Sequence, residues 1–305
     1  MKRFVVLLAL PAAALTAVGC RARPEPIDYL GQAPPGDTAV VFAPGVLSLP
    51  GRFERVPAFS PDGQELFFVV TSVDWTATIL HSVRRDGRWS EPDTAAFARG
   101  YGTTEPFFSP DGRRLFFAST RPPGSLPYNA DLWMVERTDT GWSDPVHLGP
   151  EVNSDASDYH PSVVADGTLY FASTRDTEQG DGNIYVSRFV NGAYQPARRL
   201  GDAINSAYQD WDPYVSPDER LLIFKSNRPG GYGDMDLYVS TRDAGGEWTP
   251  ARNLGPRVNT SGNDDAGDLS PDGRYLFFAR RFGDREMDVY WVDARAVLGD
   301  LITAH

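Results

Sequence analysis

Phe107-Phe108-Ser109-Pro110-Asp111-Gly112-Arg113-Arg114-Leu115-Phe116-Phe117-Ala118 reads as an apolar strand end, a tight turn and a second apolar strand. The turn chemistry is explicit: Ser at the first corner, Pro presetting φ at the second, then Asp and Gly, the preference set of a type I turn. The phrase recurs at Ser60-Pro61-Asp62-Gly63, Ala165-Asp166-Gly167, Ser216-Pro217-Asp218-Glu219 and Ser270-Pro271-Asp272-Gly273. Successive aspartates lie 49, 55, 52 and 54 residues apart. A period near fifty suits one four-stranded propeller blade, so five copies predict an all-β, five-bladed β-propeller with four antiparallel strands per blade.

Each repeat carries the same order outward from its turn. The second strands, Leu66 to Val70, Leu115 to Ala118, Leu169 to Ala172, Leu221 to Phe224 and Leu276 to Ala279, are apolar on both faces, as strands between neighbouring blades are. Third strands follow at Asp131-Leu132-Trp133, Asn183-Ile184-Tyr185, Asp236-Leu237-Tyr238 and Asp288-Val289-Tyr290, with Thr78-Ile79-Leu80 in the first repeat. A fourth strand is marked by an aromatic, a proline and Leu-Gly, as in Trp142, Pro145, Leu148 and Gly149. The last repeat lacks it. Residues 39 to 49 have the character to supply it from the N-terminal end, which would close the last blade and cover a sheet edge, with a short helix over 294 to 301 outside the ring.

A formal charge of -12 disfavours phosphate backbones, so nucleic acid is set aside as a partner. Residues 1 to 19 join Lys2 and Arg3 to an apolar run ending at Gly19, the layout of a signal peptide and too short for a comfortable transmembrane span. Cys20, the only cysteine, falls where that leader ends. Residues 20 to 38, with Pro24, Pro26, Pro34 and Pro35, read as a flexible tether, leaving 39 to 305 as a single domain.

Ala17-Val18-Gly19-Cys20 resembles a bacterial lipobox, with Ala17 where that pattern usually has Leu. The resemblance implies lipidation at Cys20 and a membrane-anchored envelope protein, on the periplasmic face of the outer membrane in a diderm, touching the membrane through the lipid only. The repeats, with Ser-Pro-Asp-Gly, the Ser-x-Arg after the second strand and Asp-Leu/Ile-Tyr/Trp on the third, resemble the TolB-like, WD-repeat-like propeller family over residues 39 to 293. That family includes protein-binding scaffolds as well as parts of peptidases, so the resemblance implies fold before function.

Arg121, Arg175 and Arg228 recur after the second strands and are expected to brace Asp131, Asn183 and Asp236, with Arg280-Arg281 out of step. The innermost strands differ among repeats. Taken alternately, Thr103, Glu105 and Phe107, then Asp158, His160 and Ser162, then Asp210, Asp212 and Tyr214, then Asp264, Ala266 and Asp268 share a face by period-two logic. In a ring that face lines the channel. Glu105, Asp158, His160, Asp210, Asp212, Asp264 and Asp268 thus form an acidic, ligand-binding mouth, with Tyr159 and Trp211 as aromatic contacts and Tyr101 and Tyr208 nearby.

No cofactor is required by any motif, but Glu105, His160, Asp212 and Asp268 are the oxygen and imidazole donors a divalent cation takes. No Gly-x-Ser-x-Gly elbow or His-Glu-x-x-His is present. The expectation is therefore a non-catalytic envelope module binding a protein, peptide or glycan, with no catalytic residue assigned. The alternative is a carbohydrate-active hydrolase using the mouth carboxylates.

Overall fold

The computed structural model describes residues 26–72, 76–122, 129–177, 181–281 and 286–302; the leader, Cys20 and the first tether residues lie outside them. The fold is all-β, with five successive antiparallel sets. The first three strands of the sets are Phe53–Phe59, Glu65–Thr71 and Ala77–Arg85; Thr103–Phe108, Arg114–Ser119 and Asp131–Thr138; Asp158–Val163, Leu169–Ser173 and Asn183–Ser187; Asp210–Val215, Leu221–Ser226 and Asp236–Thr241; and Asn263–Leu269, Tyr275–Arg281 and Met287–Asp293. Fourth strands are only two residues long: Asp93–Thr94, Val146–His147, Arg198–Arg199 and Arg252–Asn253.

The turns behave as their composition dictates. Gly63 N donates to Ser60 O at 2.8 Å, and Ser60 Oγ donates to Asp62 Oδ1 at 2.6 Å. Ser109, Ser216 and Ser270 make the same bond to Asp111, Asp218 and Asp272. Glu219 replaces the fourth-corner glycine and keeps its left-handed backbone, φ 61°. Tyr170, Arg188 and Arg242 hold its carboxylate.

The fifth set gains its outer strand from the N-terminal side, where Val40 and Val41 pair antiparallel with Trp291 and Tyr290. Phe42 follows, fully buried against Phe277 and Trp291. The pairing strand is shorter than 39 to 49 because the chain turns at Ala43, which accepts bonds from Val46, Leu47 and Ser48. The C-terminal helix is Ala294–Leu298, capped by Asp293, and continues as a 3-10 turn over Gly299–Ile302. Among the described residues no helix is long and apolar enough to cross a membrane.

Apolar cores lie between sets. Phe67 and Ile79 pack with Leu115 and Phe117; Phe116 and Leu132 with Leu169 and Phe171; Tyr170 and Ile184 with Leu222 and Phe224; Ile223 and Leu237 with Leu276 and Phe278. Phe277 and Trp291 of the last set then pack with Phe59 and Phe68 of the first. The innermost strands touch in the same cyclic order. Residues 27 to 30, read from sequence as tether, belong to this last core: Tyr29 is buried, edge-on to Phe59 and Tyr275, and its hydroxyl donates to Asp272 at 3.0 Å.

Candidate functional site

The innermost strands carry the site, and each is broken at one place. The register against its neighbour slips between Arg55 and Ala58, Thr104 and Phe107, Tyr159 and Ser162, Trp211 and Tyr214, and Asp265 and Asp268. Each slip is a β-bulge, which bends the strand and re-aims side chains. Glu105, His160, Asp212 and Ala266 occupy these bulges with φ of 56°, 50°, 53° and 43°. A non-glycine residue held there costs on the order of 1–3 kcal/mol.

The bulge overturns the period-two alternation. Asp158, Asp210 and Asp264 do not join the mouth; all three are fully buried. Arg175 Nη2 meets Asp158 Oδ1 at 2.6 Å, Arg228 Nη2 meets Asp210 Oδ1 at 2.5 Å and Arg280 Nε meets Asp264 Oδ1 at 2.7 Å. The other oxygen of each accepts the backbone N–H of Ser154, Ser206 or Thr260. Two expectations about the arginines are thereby corrected. Arg175 and Arg228 brace the start of the innermost strand instead of Asn183 and Asp236, and Arg280 is in step. In the second set the equivalent position is uncharged Thr103; Arg121 bonds the Phe97 carbonyl and Ser119, and Asp131 pairs with His147 at 2.9 Å instead of with Arg121.

At and beyond the bulge the contacts cross from set to set. His160 N donates to Glu105 Oε2 at 2.7 Å, and Arg55 Nη1 lies 3.4 Å from Glu105 Oε1. The imidazole sits between two carboxylates, Nδ1 at 3.7 Å from Asp212 Oδ1 and Nε2 at 3.6 Å from Asp268 Oδ1. Lys225 Nζ contacts Asp212 Oδ2 at 2.8 Å and also pairs with Asp265. Arg55, Lys225 and Asp265 were missed from sequence. A signal for the irregularity was present: Pro106, Pro161 and Pro213 stand inside the innermost strands, and proline within a strand marks a sheet edge or a bulge.

Burial sets the electrostatics. It pushes Asp212 up to about 6, against the pull of Lys225 and His160. Burial alone would lower His160, but Asp212, Asp268 and Glu105 raise it to about 9. Asp265, equally buried, is held far below the usual carboxylate range by Lys225 and Arg55.

Glu105, His160 and Asp212 each present one donor atom, all within 4.8 Å of one another. Two ligands on opposite sides of a calcium-sized ion, at about 2.4 Å each, are separated by this much, so the cluster is geometrically compatible with a divalent cation. Asp268 is not part of the triplet; it lies beyond the other imidazole nitrogen. Metal would have to displace a proton from His160, because only the neutral ring ligates.

This ionic waist separates two cavities. The void at its centre, lined by Arg55, Glu105, His160 and Asp268, is about 10 Å³, no larger than one water. On one side a cavity of about 660 Å³ has Arg55, Glu105, Asp212 and Lys225 in its lining together with Tyr159 and Trp211. The two rings meet edge-on at 6.4 Å. Trp211 lies flat on Gly182, where a Cβ would fall 2.3 Å from the indole. Tyr101 and Tyr208, both exposed, stand outside this lining, and Tyr101 is covered by the Arg121 guanidinium at 4.9 Å.

No family model matches the chain, and no curated protein is similar to it. Its fold is similar to that of putative TolB from Agrobacterium tumefaciens, at 18% identity and TM-score 0.55 over 80% of this chain and 78% of that one. It is also similar to a thermostable family-43 glycoside hydrolase, at 12% identity and TM-score 0.54 over 79% and 90%, and to an α-L-arabinofuranosidase from Lactobacillus brevis, at 13% and 0.52 over 76% and 88%. At these identities the likenesses establish an all-β fold related to TolB and other propeller-type structures. The expectation of a non-catalytic module is corrected by the site: Glu105 with buried His160 and Asp212, on left-handed backbone beside a cavity, forms a potential active or metal site.

Proposed function

We propose that the protein is a glycan hydrolase whose reaction occurs at the floor of the 660 Å³ cavity. One observation carries the reading: carboxylate oxygens of Glu105 and Asp212 lie within 4.8 Å of each other beneath an aromatic pair. Retaining glycosidases hold two carboxyl groups about 5–5.5 Å apart, one as acid and one as nucleophile. Asp212, raised to about 6, is protonated over a range that suits a general acid, and Glu105 beside Arg55 is the nucleophile. In the first step Glu105 bonds to the anomeric carbon while Asp212 protonates the departing oxygen. Water then cleaves the glycosyl ester and Asp212 takes its proton back. Trp211 and Tyr159 supply flat apolar faces for a sugar ring, and Thr71, Thr76 and Thr120 supply hydroxyls around it.

The reading assumes a closed five-bladed ring. Supporting it are the cyclic cores, the cyclic contacts of the innermost strands and the pairing of Val40–Val41 on the fifth set. It also keeps export and lipidation at Cys20, on the strength of the leader sequence, and an envelope glycan as the partner.

The test is turnover of a panel of aryl pentosides, aryl hexosides and polysaccharides by the chain from residue 26. Glu105→Gln and Asp212→Asn should each lower kcat by roughly 10²–10⁴ with the fold retained. Absence of turnover across the panel, or turnover untouched by both variants, overturns the reading. Turnover abolished by EDTA and restored by a divalent ion would instead favour a cation held by Glu105, His160 and Asp212 as the acid in the reaction.

A further inference from the structure

The second cavity opens at the Ser-Pro-Asp-Gly end, on the far side of the waist, and the hydrolase reading makes no use of it. It measures about 670 Å³. Just below the bulges, each innermost strand contributes one residue to a ring: Ala58, Phe107, Ser162, Tyr214 and Asp268. Asp268 is the one charge among these five. Asp268, Phe107 and Tyr214 all line the cavity, the two rings 6.2 Å apart and tilted by 56°.

Asp268 is poorly matched. Its Oδ1 is buried without a hydrogen bond, and the nearest cation, His160 Nε2 at 3.6 Å, belongs to a ring that also faces Asp212. The waist contains four carboxylates, Glu105, Asp212, Asp265 and Asp268, against Arg55, Lys225 and His160. With Asp212 ionised and His160 counted as a cation, one negative charge is left over. At the cavity rim Asp218 and Asp272 accept from the serine hydroxyls of their own turns, Asp293 accepts from Arg295 N, and the Arg274 guanidinium lies over the Tyr275 ring at 5.3 Å.

We propose that this cavity binds an organic cation, a primary ammonium or guanidinium on an apolar body, with Asp268 as counter-ion and Phe107 and Tyr214 as walls. A single carboxylate with aromatic neighbours is poor for a hard divalent ion, which takes six or more oxygens. It suits an organic cation, which gains from ring faces as well as from the carboxylate. Apolar lining from Pro57, Pro217 and Leu269 accommodates the body.

The experiment is calorimetric titration of the chain from residue 26 with phenethylammonium and its neutral counterpart 2-phenylethanol. Phenethylammonium should bind at least about tenfold more tightly, and Asp268→Asn should remove that difference while leaving the alcohol unchanged. Equal affinity of the two probes, or an unchanged preference in Asp268→Asn, overturns the proposal. Should that variant not fold, photolabelling of the wild type with azidophenethylammonium decides: label on Phe107 or Tyr214 supports the site, label confined elsewhere refutes it. Titration with Nα-acetyl-lysinamide separates sources, tighter binding assigning a protein side chain and weaker binding a free amine. Both measurements read the end opposite Glu105 and Asp212, so they stand or fall apart from the hydrolysis assay.

Discussion

Two rows of charged residues, two positions apart on the same strands, are treated in opposite ways. In the first row Glu54, Asp158, Asp210 and Asp264 are fully buried, and each has an arginine of its own set: Arg52, Arg175, Arg228 and Arg280. In the second, Glu105, His160 and Asp212 differ in kind, share partners across sets and stand on strained backbone. The first row repeats because every set must solve the same problem, capping its innermost strand. The second does not repeat, and its incomplete neutralisation leaves it open to ligands.

The largest effect should come from the first row. Arg228→Leu strands Asp210 as a buried unpaired charge and should cost about 3–5 kcal/mol in chemical denaturation, with hydrolysis per folded molecule unchanged. A loss below about 1 kcal/mol would place these pairs with ordinary surface bridges and erase the contrast.

Next comes the response to metal. A divalent ion at about 100 times its Kd should add roughly 2.7 kcal/mol to the wild type, read as a rise in Tm, and nothing to His160→Gln. A rise that survives the substitution would move the cation elsewhere.

The smallest effect is in pH dependence, and it runs in opposite directions for two glutamates. Burial raises Glu54 to about 7, so its folded form binds the proton more tightly than the unfolded chain does. Its contribution is present below about 4.5 and is lost as pH rises to about 7; Glu54→Gln should flatten that decline. Glu65 is partly buried, yet His81, Arg137 and Trp142 bring it down to about 2. Its contribution is present above about 4.5 and is lost as pH falls toward 2. Urea midpoints from pH 3 to 8 for the wild type, Glu54→Gln and Glu65→Gln would show both slopes; parallel curves would contradict the assignment.

The fold was legible where sequence repeats. Ser-Pro-Asp-Gly or a variant of it marked each turn, and Val40 and Val41 pair with the last set where its outer strand was missing. Site membership was legible only in part, because the alternation was carried straight through Pro106, Pro161 and Pro213. A bulge at those prolines separates Asp158 from His160 and Asp210 from Asp212, sending one under an arginine and the other to the waist. Arg55, Lys225 and Asp265 were illegible for a different reason. They come from three different sets, and only the packing of those sets makes them neighbours.

The anchoring of residues 27 to 29 also bears on how the proposed lipid anchor would orient the molecule. Ile27 lies against the Gly63 turn, 3.0 Å from where a Cβ would stand, Asp28 pairs with Arg84 at 3.3 Å, and Tyr29 is fixed to Asp272. The chain therefore leaves the body at the rim of its Ser-Pro-Asp-Gly face. Seven peptide units separate Cys20 from Ile27, a reach of at most about 25 Å. Under the proposed acylation of Cys20, so short a leash would hold that face toward the bilayer and turn the Trp211 opening outward, giving the proposed glycan and amine sites access from opposite sides.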